Sequence, residues 1–205
     1  MVLNKLLESA VEQFGLRGFE GASTRDIARA SGTAMSSITY HFGGKEGLYL
    51  AAAEFITQNI RERMGGVLVA AEAALDAPNR ARVSAITSIL QTMAGVMLHP
   101  QSTAWAQFIV REQNSPTQAF DRLFDGAMYD ITSILKRLIL AIRPAIGERE
   151  ASALTIMLVG QAMVLRFGRA SLCRVLGRRE LTGEDEALLL SRLKDNIDAI
   201  FAETS

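Results

Sequence analysis

The chain has 205 residues, of which 49% are hydrophobic, so it can bury a substantial core in one domain or two small ones. Its 22 basic and 22 acidic residues cancel, and no overall positive field would draw it to nucleic acid. One cysteine excludes an intrachain disulfide, and with two histidines it cannot form a zinc site without carboxylates. We find no run of about 18 uncharged apolar residues and no secretory signal pattern, so we expect a cytoplasmic protein.

The secondary structure is predicted to be entirely helical, because glycine and proline are sparse and alternating β-branched runs are absent. The first helix is predicted over residues 3–17, where apolar residues recur at helical spacing. Gly15, Gly18 and Gly21 are predicted to break this helix and to form the loop that follows it.

The next element is a short helix that begins after Ser23. Ser23 is suited to cap its first turn, and Asp26, three residues on, to complete a capping box. Gly32 then supplies the left-handed residue that ends the helix.

A second short helix is predicted over residues 34–42. Ile38 and Phe42 lie on one apolar stripe, which leaves Ser36, Ser37, Thr39, Tyr40 and His41 facing outward. Small residues let a helix backbone approach base edges, so this helix is typical of an element that reads the DNA major groove. The alternative is an unspecialised helical hairpin.

Two sequence runs in this region, TRDIARASG and SSITYHFGGKEGLY, resemble the helix-turn-helix of the TetR family of bacterial repressors. The turn glycine, the aromatic cluster and the Lys-Glu pair fall at the family's spacing. The version ITYHFGGKEGLY is similar to the CecR branch, and the phrase REQNSPTQAF resembles the C-terminal domain of that branch. Thr33, Ala34 and Met35 stand where valine, a capping serine and a polar or basic residue are usual, which bears on the operator sequence.

The resemblance implies a DNA-binding helix-turn-helix domain of three helices at residues 1–46, called the head below. It is joined to a helical domain for ligand binding and dimerisation at residues 47–205. Residues 1–64 carry seven basic and seven acidic side chains, so DNA binding would depend on a few placed contacts. The residues that the resemblance implies face DNA are Thr24, Arg25, Ser36, Ser37, Thr39, Tyr40, His41 and Lys45.

These residues are expected to differ in what they contact. Ser36, Ser37 and Thr39 are candidates for base edges, whereas Tyr40 and Lys45 are candidates for phosphate. Thr24 and Lys45 fit phosphate contacts on opposite sides of the groove. His41 is compatible with either contact or with a structural role.

The rest of the chain is a series of apolar-periodic segments. A helix that starts at Lys45 is predicted to run to about residue 64, where Gly65 and Gly66 permit a bend or break. The later segments are predicted at 67–76, 79–98, 102–114, 117–142, 148–172 and 184–202, separated by prolines and glycines.

A ligand pocket is predicted from methionine and aromatic side chains in these segments, because such side chains suit adaptable apolar sites. A plain hydrophobic core is the alternative. Arg111 and Glu112 either orient a polar group of the ligand or cap helices around Pro116. The candidate ligand-binding residues are Met93, Met97, Trp105, Phe108, Arg111, Glu112, Phe120, Phe124, Met128, Met163 and Phe167.

The last two long helices carry apolar residues on more than one face, and a partner chain is the usual way to bury such an excess. TetR-like proteins dimerise through a four-helix bundle of these two helices from each subunit. The stripes consist of Leu154, Met157, Leu158, Gln161 and Leu165 on one helix and of Leu189, Leu193, Ile197, Ile200 and Phe201 on the other. The acidic run Glu184–Glu186 lies in a first helical turn, where it complements the helix dipole, and we expect no metal there.

We therefore predict a homodimeric transcriptional repressor of the TetR family, released from double-stranded operator DNA by a small lipophilic ligand, with no cofactor. The alternative is a helical interaction module whose N-terminal head binds a protein partner. An enzyme is disfavoured, because no histidine, cysteine or paired carboxylates stand at useful spacing.

Overall fold

The structure, a computed structural model, describes residues 2–202. Every regular element in this range is helical, which confirms the predicted all-α class. A π-helical turn, Phe124–Met128, joins α7 to α8. The helices are α1 (Val2–Gly21), α2 (Thr24–Ser31), α3 (Met35–Phe42), α4 (Lys45–Ala74), α5 (Asn79–Leu98), α6 (Ser102–Asn114), α7 (Gln118–Leu123), α8 (Tyr129–Ile142), α9 (Glu148–Phe167), α10 (Arg169–Val175) and α11 (Gly183–Phe201).

The helices pack into two compact units. The first combines the chain up to Arg61 with Pro100–Met128, so it holds α1–α3, the start of α4, α6, α7 and the π-helical turn. The second combines Glu62–His99 with the chain from Tyr129 onward. The predicted division at residue 46 concerns function rather than packing and stays a prediction.

In the first unit, α1 packs against both α2 and α6. Gly18 interrupts α1 with a left-handed φ of 74°, as predicted for this position. The prediction that Gly15 breaks the helix is wrong, because Gly15 is helical and buried. A Cβ at Gly15 would lie 2.8 Å from the carbonyl oxygen of Ala104, so the missing side chain permits the close approach of α1 and α6.

The two short helices of the head form largely as predicted. Ser23 caps α2 by accepting a hydrogen bond from the Asp26 amide. The Asp26 carboxylate does not complete a capping box, since it binds the guanidinium groups of Arg17 and Arg29. Gly32 ends α2 with a left-handed φ of 69°.

An aromatic cluster holds α1 against the start of α4. The ring of Phe14 lies 4.8 Å from that of Tyr49 in an edge-to-face arrangement, and the ring of Phe19 lies 5.2 Å from Tyr49. Such pairs each stabilise a core by about 0.5–1.5 kcal/mol beyond burial alone. Ile27 and Ile38, from α2 and α3, are also fully buried and complete the core of the head.

Helix α4 continues to Ala74, so the predicted end near residue 64 is wrong and Gly65 and Gly66 do not break the helix. A helical glycine costs only about 1 kcal/mol relative to alanine, and buried Met64 and Ala71 anchor the helix on either side. Two other segments differ from prediction. Residues 117–142 divide into α7, the π-helical turn and α8, and residues 148–172 divide near Gly168 into α9 and α10.

In the second unit, α5 is the central helix and packs against α8, α9 and α11. The buried guanidinium of Arg166 donates to the carbonyl oxygens of Met97, Leu98 and His99, and so it caps the C-terminal end of α5. Burial lowers the pKa of Arg166 below its ordinary value. Length and hydropathy alone would allow α5 and α9 to cross a membrane, but core helices of globular proteins pass the same test.

Candidate DNA-binding head and effector-binding residues

Helix α3 has one buried face and one exposed face. Ile38 is buried beneath the helix, whereas Ser36, Thr39 and His41 are exposed and Tyr40 is 85% exposed. Ser37 is only half-buried, so the outward orientation predicted for it is partly realised. The exposed row matches the need of a reading helix for accessible polar groups near its N-terminal end.

Three aromatic side chains, Tyr40, His41 and Phe42, follow one another at the C-terminal end of α3. The His41 ring lies 4.9 Å from that of Tyr40 and 6.2 Å from that of Phe42, in both cases edge to face. These contacts orient His41 on the surface and leave its ring accessible.

The other predicted DNA contacts flank α3. Thr24 and Arg25 open α2, where Thr24 is half-buried and Arg25 is exposed. Lys45, the first residue of α4, donates from Nζ to the carbonyl oxygen of Glu20 at 3.3 Å. The same ammonium lies 4.8 Å from the centre of the Phe19 ring. Lys45 therefore rests against the end of α1, and contact with a phosphate requires its side chain to turn outward.

Local charge in the head is nearly balanced by internal pairing. Asp26 accepts from Arg29 at 2.6 Å and lies 3.4 Å from Arg17. Both arginines are well exposed, and such surface pairs contribute about 0–1 kcal/mol each. The Asp26 carboxylate thus offsets one of the two positive charges of these arginines, which agrees with a head that depends on individual contacts rather than on bulk charge.

A buried polar network joins α4, α6 and α7. The Tyr49 hydroxyl donates to Glu112 Oε1 at 2.6 Å, and Glu112 Oε2 accepts from the Thr117 amide and hydroxyl at 3.0 and 2.9 Å. Glu112 is 2% exposed. Burial and the hydrogen bond to Glu112 raise the pKa of Tyr49 well above its usual range. The hydroxyl therefore remains a proton donor at any physiological pH.

Arg111, the residue before Glu112 on α6, binds the backbone of α1. Its Nε donates to the Gly15 carbonyl and one terminal nitrogen to the Leu16 carbonyl, each at 2.7 Å. These carbonyls precede the break at Gly18, so Arg111 caps a turn of α1. Glu112, which binds the Thr117 amide and hydroxyl, makes a helix-capping contact next to Pro116 as considered for the pair, whereas Arg111 caps α1 instead. Ligand binding by either residue stays a prediction.

The structure distributes the predicted ligand-binding residues over both units. In the second unit, Met93 and Met97 are buried, and Phe167 is exposed. In the first, Phe108 is fully buried with its ring 4.7 Å from Tyr49, and the rings of Phe120 and Phe124 stack at 6.0 Å. The first unit holds Trp105, Phe108, Arg111, Glu112, Phe120, Phe124 and Met128, and the second holds Met93, Met97, Met163 and Phe167.

Two cavities within the first unit include predicted ligand-binding residues. Arg111 lines the larger one, of about 630 Å³, and Trp105 lines the smaller one, of about 230 Å³. Sequence reasoning missed the other lining residues, because they converge only when α1 packs against α4 and α6. The larger is lined by Arg17, Gly18, Phe19, Glu20, Glu46, Tyr49, Leu50, Arg111, Thr117 and Gln118, and the smaller by Glu8, Val11, Glu12, Phe55, Asn59, Gln101, Ala104 and Trp105.

In the acidic run at the start of α11, Asp185 caps the N-terminal end of the helix. Asp185 and Thr182 form a capping box, in which each side chain accepts from the backbone amide of the other residue. The hydrogen bonds from Thr182 lower the pKa of Asp185. Within residues 2–202, histidine, cysteine and carboxylate side chains form no group of three or more that could hold a metal.

An apolar surface remains on α9. Met157 is 69% exposed, and Ile156 and Val164 are more than half exposed. Fewer apolar residues of α9 are exposed than predicted, because Leu158 and Leu165 are buried within the second unit. On α11, the predicted residues Leu193, Ile197 and Phe201 are likewise buried, because α11 packs against α5. Ile156, Met157 and Val164 on α9 and Leu188 on α11 thus remain exposed.

Two family models match the chain in succession. Residues 6–52 match the model of bacterial regulatory proteins of the tetR family. Residues 83–203 match the C-terminal domain of the HTH-type transcriptional dual regulator CecR.

Curated relatives are transcriptional regulators rather than enzymes. The dual regulator CecR of Shigella flexneri is 31% identical over 200 residues, which span 96% of this chain and 89% of that protein. The transcriptional repressor AcnR of Corynebacterium glutamicum is 30% identical over 131 residues, 64% of this chain and 58% of that protein. A head that binds a protein partner instead of DNA is not favoured by these relatives.

Solved structures share the fold. AibR, determined in complex with isovaleryl coenzyme A and operator DNA, superposes with a TM-score of 0.67 at 14% identity over 98% of both chains. A TetR-family transcriptional regulator from Streptomyces coelicolor gives 0.66 at 15% identity, covering 100% of this chain and 96% of that one. With the matches above, these findings confirm the predicted resemblance: the chain belongs to the TetR family of bacterial transcriptional regulators, in its CecR branch.

Proposed function

We propose that the protein is a homodimeric repressor that binds operator DNA through α3 and is released by a small lipophilic ligand. The observation that carries the proposal is the exposed polar face of α3, opposite the buried Ile38, in a head that matches the family model. Regulators of this family are cytoplasmic and not enzymes, and we infer the same location and a role without catalysis or cofactor for this chain.

The DNA contacts are assigned by position and chemistry. Hydroxyls at Ser36, Ser37 and Thr39 are suited to base edges, and Tyr40 and Lys45 to phosphates. The first turn of α3 has no side-chain cap, since its N-cap residue is Ala34. The Ser37 amide donates to the Ala34 carbonyl oxygen, and the amides before it, which meet no capping side chain, suit phosphate or water.

Three further residues complete the proposed interface. Thr24 and Arg25 begin α2, which precedes α3 in the chain, whereas Lys45 begins α4, which follows α3. His41 is exposed on α3. We assign Thr24 and Arg25 to phosphate, and His41 to phosphate or a base edge.

The proposed dimer forms through α9 and α11. Support comes from the exposed apolar side chains of α9 and from the family, whose members act as dimers. A single short reading helix makes few contacts, whereas two copies about 34–36 Å apart address successive major grooves. Dimerisation thus provides the specificity that one nearly neutral head lacks.

Release by a ligand is proposed as a population shift. The dimer samples arrangements that do or do not fit the operator, and the ligand binds the second kind more tightly. A change from mostly bound to mostly free requires a differential affinity of several kcal/mol. AibR, whose structure contains an acyl coenzyme A, supports a ligand with an apolar acyl part.

The test is binding of the purified protein to its own upstream region, with and without lipophilic compounds that include short acyl coenzyme A esters. We expect a footprint that weakens steeply as salt rises, because phosphate contacts release counterions. An active compound lowers the affinity at fixed salt. Lack of binding to any promoter-proximal duplex at low salt would contradict DNA binding, whereas a footprint that no compound changes would contradict ligand response alone.

A further inference from the structure

Met35 is a large apolar side chain at the first position of the reading helix. It is 52% exposed, whereas Ile38, one turn further along the helix, is buried in the head. The residues beside it on the open face, Ser36 and Thr39, are exposed hydroxyls. Met35 therefore contributes little to the core of the head and stands next to the proposed base-reading residues.

The chemistry of Met35 restricts what it can recognise on DNA. A thioether has no hydrogen to donate, so it cannot bind a phosphate oxygen or the acceptors of guanine. Its flexible side chain instead packs well against small apolar groups. In the major groove, the C5-methyl of thymine is the apolar group that distinguishes one base pair from the others.

The position of Met35 favours this contact over a contact with the DNA backbone. In a helix-turn-helix, the N-terminal residues of the reading helix approach the base edges. Ala34, immediately before Met35, is small and exposed, and it forms no capping hydrogen bond. Met35 is therefore the large exposed side chain at the start of α3, and Ala34 before it leaves the first turn room to approach the floor of the groove.

From these observations we infer that Met35 is a specificity-determining residue that packs against a thymine methyl in each operator half-site. The inference rests on the proposed function, since it requires that α3 enters the major groove. It adds a base preference at one position that the hydroxyls of Ser36, Ser37 and Thr39 do not supply.

The test replaces each thymine of the footprinted operator in turn by deoxyuridine, which removes only the methyl group. Loss of one buried methyl contact should weaken binding about fourfold per half-site. We expect one such thymine in each half-site for the wild-type protein. For Met35→Ala, the same uracil substitution should have little effect, because the contact is already gone.

Two further variants separate the apolar contact from a general disturbance of α3. Met35→Leu keeps an apolar side chain of similar size and should retain the uracil effect, whereas Met35→Gln keeps the length and should lose it. Val69→Ala, at an exposed position of α4 far along the sequence, is the control and should leave the uracil effect unchanged.

The inference is overturned if every uracil substitution weakens the wild-type protein and Met35→Ala equally, or if no uracil substitution matters. A normal footprint in these experiments leaves the proposed function intact. Failure of the wild-type protein to bind any duplex contradicts the proposed function and removes the inference with it.

Discussion

The Tyr49 hydroxyl donates a 2.6 Å hydrogen bond to Glu112, and this contact joins residues 63 positions apart in the sequence. Tyr49 lies near the start of α4 within the aromatic cluster of the head, and Glu112 lies near the end of α6. The carboxylate is buried and receives two more hydrogen bonds from Thr117. The start of α4 is thus joined to α6 and α7 by one carboxylate, whose donors named here all lie within the first unit.

Tyr49→Phe removes one donor and leaves the Glu112 carboxylate buried with fewer hydrogen bonds. We expect the free energy of unfolding to fall by about 1–3 kcal/mol, the usual cost of an unsatisfied buried polar group. Urea denaturation followed by circular dichroism measures the change. Tyr129→Phe, at an exposed tyrosine of α8, is the matched control and should leave stability unchanged. Equal stability of the two variants would contradict the importance of the network.

Gly15→Ala and Gly66→Ala should change stability in opposite directions. At Gly15 the new methyl would lie 2.8 Å from the Ala104 carbonyl oxygen, so α1 and α6 must separate, at a cost of about 1–3 kcal/mol. At Gly66 the methyl meets nothing within 4 Å, and the better helix propensity of alanine should stabilise by about 0.5–1 kcal/mol. Thermal unfolding of both variants, at equal protein concentration, gives the signs. Two destabilised variants would mean that α4 needs a glycine at position 66.

Tyr40→Ala should abolish operator binding without a change in the mass of the dimer or in its unfolding temperature. Tyr40 is 85% exposed, so its removal costs the fold little, whereas the proposed phosphate contact is lost. Fluorescence anisotropy with a labelled operator measures the affinity. Tyr129→Ala makes the same substitution on α8 and should bind like the wild-type protein. Normal binding by the Tyr40 variant would show that the assignment of this residue to phosphate is wrong.

Lys45→Ala should also abolish operator binding, for a related reason. The ammonium now rests on the Glu20 carbonyl and the Phe19 ring, both weak surface contacts, so it can turn to a phosphate at small cost. The dimer mass should not change. A variant that binds as the wild-type protein does, with the same dependence on salt, would show that Lys45 remains on α1 in the complex.

Met157→Glu should convert the dimer to monomer. The side chain is 69% exposed in one chain, and a carboxylate there would be buried without a partner at the proposed interface. Light scattering measures the mass, and operator affinity should fall with it, because two linked heads bind more tightly than one. Val175→Glu, at an exposed position of α10, should leave both properties unchanged. A dimeric Met157→Glu protein would place the interface elsewhere.

The local features of the head could be predicted because each depends on a few consecutive residues. Ser23 caps α2 and Gly32 ends it, since capping geometry and a left-handed φ are properties of the residue and its near neighbours. The exposed face of α3 follows from its apolar spacing. The capping box predicted for Asp26 was wrong because its carboxylate pairs with Arg29, one turn along α2, and with Arg17 on α1.

The roles of the other glycines could not be predicted from local pattern. A glycine within a helical stretch is compatible with a break, with an exposed position or with a close contact between two helices. Which of these applies depends on the atoms that face the glycine. Gly15 faces the backbone of α6, whereas Gly65 and Gly66 face open space within a continuous α4. The excess of apolar residues on α11 was overestimated for the same reason, because α5 covers Leu193 and Ile197.

The sequence by itself determined the helical class, the two short helices of the head and the family, because periodicity, capping and motif spacing depend only on residues close together in the chain. Only the tertiary structure decided that Arg111 caps α1, that Glu112 binds Tyr49 and Thr117, and that Met157 remains uncovered. Those contacts join residues distant in the chain, and the choice among possible partners depends on which helix faces pack together.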